Sequence, residues 1–331
     1  GIRRRFFRSV AARRGKADNL GSGPRPWSVS CLRHPKGSPA KMYPVRTIRA
    51  TIVAVLVLCL GACSGTTFVY NRLDTILPWY VDDYVELNAT QERQLEEILQ
   101  PFLDWHRQQE LPRYVELLNQ VDSSLDHEVT PTDLANIYDE MQVAWLRLEQ
   151  ESLDGLLELG ASLSEAQVQE FLAYMRERQE EYEEEYLTRS GSEYREEIYD
   201  NFADTLEDYL GRLTGEQKER LRQAVAEFER ADEVWLQERA ASIERLAVML
   251  QREPGWQERV REAVKRRGET VSPRYQEVYQ HNLDTVFAAV AGVLNSRSER
   301  QDRYLREELA GLREDLETLI AQGIALPPDS A

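Results

Sequence analysis

Apolar residues recur in this chain in two ways, as a helical period over most of its length and as one unbroken run near the start. Val168, Phe171, Leu172, Met175, Tyr182 and Tyr186 fall on one side of a helix over about 165–188. Tyr194, Ile198, Phe202, Leu206, Tyr209, Leu210 and Leu213 line the next one. Leu221, Val225, Phe228, Trp235, Ile243, Leu246 and Leu250 predict a single longer helix ending near Pro254-Gly255, and Ser272-Pro273 restarts the pattern. Val278, Val286, Phe287, Val290 and Leu294 carry it on. Leu305, Leu309, Leu312, Leu316 and Leu319, at alternating steps of four and three, make a coiled-coil-like seam that can close within one chain or between two copies. No stretch alternates as a strand does. The expectation is an all-α bundle of about eight to ten antiparallel amphipathic helices, with residues 325–331 a disordered tail.

One device starts the helices. Leu87-Asn88-Ala89-Thr90-Gln91, Val129-Thr130-Pro131-Thr132-Asp133, Leu163-Ser164-Glu165-Ala166-Gln167 and Leu213-Thr214-Gly215-Glu216-Gln217 each set a capping residue after an apolar one, with Gln or Asp three places on. The cap accepts from an otherwise unpaired backbone N–H, and the Gln or Asp reaches back to it. The Ser-Gly-Ser at 190–192 reads either as a flexible joint or as an ordinary helix turn. Residues 66–77 form a short amphipathic stretch that Pro78 is expected to break.

The unbroken run is residues 50–60, preceded by Arg46 and Arg49 and followed by Gly61, Ala62 and Cys63. It is too short to span a bilayer comfortably, since a spanning helix needs about 20 apolar residues. It reads as the h-region of a signal peptide over 42–62, the alternative being an uncut N-terminal anchor. Leu60-Gly61-Ala62-Cys63 resembles the lipobox of bacterial lipoproteins, which implies acylation of Cys63 and a mature chain that begins there. Ser64 follows, where lipoproteins retained in the inner membrane resemble one another in carrying Asp. The resemblance therefore implies the inner leaflet of the outer membrane, with residues 63–324 a helical domain facing the periplasm. Residues 1–41, rich in Arg, Gly, Pro and Ser and followed by Met42, read as a start placed too early or as a disordered basic extension.

Charge changes sharply at Cys63. Taking the 13 basic residues and one acidic residue of 1–62 from the chain's 41 and 58 leaves 28 and 57, a charge of about −29 with histidine neutral. So acidic a domain is a poor partner for nucleic acid or an anionic surface and a better one for cationic segments. Of Cys31, Cys59 and Cys63, only the last lies in the mature part, so no disulfide can support it.

The aromatic and acidic cluster Trp79, Tyr80, Asp82, Asp83 and Tyr84 is a candidate interaction surface; the alternative is that it packs the N-terminal segment onto the body. Tyr70-Asn71-Arg72-Leu73-Asp74, Pro78-Trp79-Tyr80 and Asp82-Asp83-Tyr84 together resemble the start of an uncharacterised family of proteobacterial lipoproteins carrying a domain of unknown function. The resemblance implies an all-helical lipoprotein and supplies no catalytic residues. Leu213-Thr214-x-x-Gln217, and more loosely the copies at Gln167 and Gln91, look like the repeated Leu-Thr-x-x-Gln element of small periplasmic helical stress chaperones.

Candidate chemistry is sparse. His106, His127 and His281 lack the i, i+4 pairing of a helical metal site, and no phosphate loop, nucleophile elbow or cysteine nucleophile occurs in the mature part. No metal and no cofactor is expected. The acidic run at 180–185, with Asp200, Asp204, Glu207 and Asp208, is either a face for a basic protein segment or solvated helix surface. Two functions remain open: a lipid-anchored, non-enzymatic protein binding an envelope protein or unfolded chains, and a cell-wall hydrolase using paired carboxylates, which would need two of them converging in a cleft.

Overall fold

The structure, a computed structural model, describes residues 65–324; the expected extension over 1–41, the expected signal segment over 42–62, Cys63, Ser64 and the expected tail over 325–331 lie outside them. The described residues belong to one compact unit and are all-α, with no strand among them. In chain order the helices are α1 (Gly65–Tyr70), α2 (Leu73–Asp82), α3 (Ala89–Trp105), a π-helical turn (His106–Glu110), α4 (Leu111–Ser124), α5 (Pro131–Ser162), α6 (Glu165–Thr188), α7 (Gly191–Leu210), α8 (Gly215–Glu227), α9 (Asp232–Met249), α10 (Trp256–Lys265), α11 (Arg267–Thr270), α12 (Pro273–Asn295) and α13 (Glu299–Ile324). Nine of them run thirteen residues or more among the described residues, within the range the apolar pattern predicts.

Caps set most of these boundaries. Asn88, Thr130, Ser164 and Thr214 each accept from the backbone of the third helical residue, whose side chain returns the bond, as the sequence predicts. Ser190 and Glu193 do the same. The Ser-Gly-Ser stretch is therefore a capped helix turn, and Arg189 beside it is pinned to Asp232 of α9 at 2.5 Å.

Two expectations about breaks fail. Pro78 lies inside α2, which runs through it, and the break comes instead at Asn71 and Arg72. Asn71 is held there by two long-range bonds, accepting from Arg107 and donating to Gln322, each at 2.9 Å. The single long helix through Phe228 is two helices, α8 and α9. Phe228 turns to extended backbone, and the Asn282 side chain of α12 replaces the lost helical bonds by pairing with both the N–H and the carbonyl of Glu229, at 2.9 and 2.8 Å. Apolar spacing continues across such a break because both helices face the same core.

Three apolar clusters result. One gathers Leu210, Leu221, Val293, Leu305 and Leu309 from α7, α8, α12 and α13, with Leu213 from the turn before α8; a second joins Tyr70, Leu111, Leu312, Leu316 and Leu319; a third joins Val85, Leu87, Leu95 and Leu159. The five leucines of the C-terminal seam are all buried within the single chain, chiefly against α4. At 32 residues α5 is about 48 Å long, and its buried residues, from Ala144 to Leu159, tie distant parts of the body together.

Candidate functional site

The N-terminal helices carry the first candidate surface. The sequence of α2, Leu-Asp-Thr-Ile-Leu-Pro-Trp-Tyr-Val-Asp, is rich in apolar and aromatic residues, yet none of its residues is buried. Trp79 is 67% exposed and Tyr80 41%, and Asp82 and Asp83 are also exposed. Tyr84 differs: its ring packs against Phe171 and Tyr174 of α6, its hydroxyl meets that of Tyr80 at 2.8 Å, and burial raises its pKa. The predicted cluster thus divides. Tyr84 and Val81 attach the segment to the body, while Trp79 points away from it.

The second candidate is a buried polar centre at the π-helical turn. Pro112 has no N–H to donate within α4, and the wide turn closes with the Leu111 N–H donating to the His106 carbonyl. His106 and Glu110, the ends of the turn, both enter the interior. Glu110 is fully buried and accepts two bonds from Arg147 of α5, at 2.7 and 2.8 Å, and a third from Arg113 at 2.6 Å. His106 shares a hydrogen bond of 2.8 Å with the Tyr70 hydroxyl and is enclosed by the rings of Tyr70, Phe102, Trp105 and Tyr114, while its Nε2 finds no partner. Burial outweighs the attraction of Glu110 and lowers its pKa to about 4, so the imidazole is neutral at pH 7. Burial likewise raises Tyr70 to about 12. The polar ends of these groups face one another inside the bundle, which makes the centre a lock between α1, the π turn and α5.

The third feature emerges only in three dimensions. The capping glutamines pair across helix starts. Gln91 donates to Gln167 Oε1 and to the Ser162 carbonyl, and Gln167 donates to Gln91 Oε1 and to the Glu86 carbonyl, at 2.7–3.1 Å. Gln217 and Gln301 repeat this: Gln217 reaches the Ser296 carbonyl at 3.5 Å, Gln301 reaches the Arg212 carbonyl at 3.3 Å, and the two amides meet at 3.0 and 3.3 Å. In all four cases the accepting carbonyl lies five residues before the partner glutamine. These clasps bind the starts of α3 and α6, and of α8 and α13. Sequence reasoning missed Gln301 because Arg297 stands where the other copies have an apolar residue; Ser298-x-x-Gln301 is the signal that was there.

Acidic side chains cover the outside of α6 and α7. Glu180, Glu181, Glu184 and Glu185 are exposed, as are Asp200 and Asp204, and Leu187 beside them is 48% exposed. Burial, followed by the nearness of Glu197, raises the pKa of Glu185. Two shallow surface grooves hold one carboxylate each, Asp74 in one and Asp133 in the other. His127 and His281 are exposed and bond to the carbonyls of Ser124 and Glu227, at 2.6 and 2.9 Å. Among the described residues no three His, Cys, Asp or Glu side chains converge as metal ligands, and no helix is long and apolar enough to cross a membrane.

Compared with known proteins, residues 83–276 match the model of a family of unknown function (DUF6279). No curated protein and no solved structure matches the chain.

Proposed function

We propose, from the premise that this chain belongs to the family of unknown function DUF6279, that it is a non-enzymatic bacterial lipoprotein. It hangs by acylated Cys63 from the inner leaflet of the outer membrane and binds cationic segments of envelope proteins or unfolded chains in the periplasm. The lipobox and Ser64 support the address. The observation that carries the binding reading is the continuous exposure of Glu180, Glu181, Glu184 and Glu185 on α6 beside the apolar Leu187. A basic, partly apolar segment would meet complementary charge and an apolar contact there. The hydrolase reading requires two carboxylates converging in a cleft, and no observation favours it.

The test is binding of a basic amphipathic peptide to the mature protein at low and physiological salt, beside suppression of aggregation of an unfolded model protein. Replacing the four glutamates by glutamine is expected to weaken peptide binding and reduce its salt dependence while leaving the helical circular-dichroism signal unchanged. Equal binding by the variant, or no binding by the parent protein, contradicts the assignment.

A further inference from the structure

We propose that α2 lies in the phospholipid interface, with Trp79 and Ile76 seated among the headgroups and Arg72 and Asp83 flanking them. This rests on the lipoprotein reading above and adds to it an orientation of the body on the membrane. The first reason is the shortness of the tether. Thr66 is already buried in the helical body, and it lies three residues after Cys63, so the body starts within about 11 Å of the lipid attachment. Few routes remain by which α1 and α2 could avoid the membrane surface.

The second reason is the composition of the face left open. Ile76, Trp79 and Tyr80 are exposed together on α2, with Phe68 56% exposed on α1. Single exposed apolar residues are ordinary, but a run of them on a helix without a buried residue needs an occupant. Trp79 is the one exposed tryptophan among the described residues, and tryptophan and tyrosine favour the boundary between headgroups and acyl chains.

Charge points to the same occupant. Arg72, Ile76, Trp79 and Asp83 are spaced by four, three and four residues, which places them on one side of α2 and its two ends. The Arg72 guanidinium lies 4.5 Å from the centre of the Phe68 ring and forms no ion pair among the described residues. Arg72 and Asp83, about 16 Å apart along the helix, thus offer a cation to the phosphate of one zwitterionic headgroup and an anion to the ammonium of another, on either side of an apolar centre. An anionic surface would be repelled by Asp74, Asp82 and Asp83, so phosphatidylethanolamine is the surface that fits.

Lipidated mature protein, beginning at Cys63, is reconstituted in vesicles of phosphatidylethanolamine with a minor share of phosphatidylglycerol, with and without bromine-labelled phosphatidylcholine. Trp79 fluorescence is isolated as the difference between the parent protein and Trp79→Phe. The inference expects that component to be blue-shifted, quenched by the brominated lipid and shielded from iodide. A Trp79 component that iodide quenches and brominated lipid does not, in protein that floats with the vesicles and carries acyl chains on Cys63, overturns the inference and leaves the lipoprotein reading standing. Protein with an unmodified Cys63 overturns both. In whole cells, a photo-crosslinking residue at position 79 that captures lipid supports the membrane as occupant, and one that captures a protein contradicts it.

Discussion

Glu110 places a fully buried carboxylate inside the bundle. Its carboxylate has no exposure and depends on Arg147 and Arg113. Glu110→Ala leaves the Arg147 guanidinium, 26% exposed, without its anion, and loss of these charged hydrogen bonds costs about 1.5–3 kcal/mol. Urea unfolding of Glu110→Ala should show that loss, whereas Glu110→Leu combined with Arg147→Met should recover most of it. His106 makes the same region sensitive to acid. Burial lowers its folded pKa to about 4 from the ordinary histidine value of 6.5. The unfolded chain therefore takes up the proton first, and the stabilisation, complete above pH 6.5, is lost as pH falls towards 4. A displacement of this size corresponds to about 3 kcal/mol. Stability measured from pH 7 to pH 4 should decline accordingly, and His106→Phe should flatten that part of the decline. The sequence around His106 does not reveal that a π-helical turn carries it inward: Phe102, Trp105 and Tyr114 lie nearby, but its hydrogen-bond partner Tyr70 comes from 36 residues before it.

At the scale of elements, the glutamine clasps explain why a short capping signature recurs. In each copy one side chain closes its own helix start and also bonds to a second helix start, so the motif sets tertiary register as well as a boundary. Gln217 is fully buried and Gln301 nearly so. Gln217→Ala leaves buried partners without bonds, which costs about 1–3 kcal/mol. A double-mutant cycle of Gln217→Ala and Gln301→Ala should show a coupling of about 0.5–3 kcal/mol, while pairing Gln217→Ala with Gln91→Ala, in the other clasp, should be additive. Helix starts were legible in the sequence because caps are local. Breaks were less so. Pro78 is tolerated within α2 and the Phe228 break is held by Asn282 of α12, more than fifty residues away, so the deciding interactions are absent from the local pattern.

For the whole molecule, the all-helical class could be read from apolar period alone, since period depends only on which side of each helix faces inward. The closure of the C-terminal seam could not. Leucines at a and d positions serve a neighbouring helix of the same chain as well as a second chain, and the structure buries all five against its own body. Within the candidate cluster, aromatic composition does not separate the residues: only the fold distinguishes Tyr84, which holds the segment to α6, from Trp79, which faces outward. The proposed attachment and the proposed seating of α2 both depend on one covalent position, Cys63. Intact-mass analysis of protein exported by a bacterial host tests that attachment most directly. The expected product is a chain that starts at Cys63 and carries added acyl mass; an unacylated Cys63 with the preceding residues still attached contradicts the lipoprotein reading.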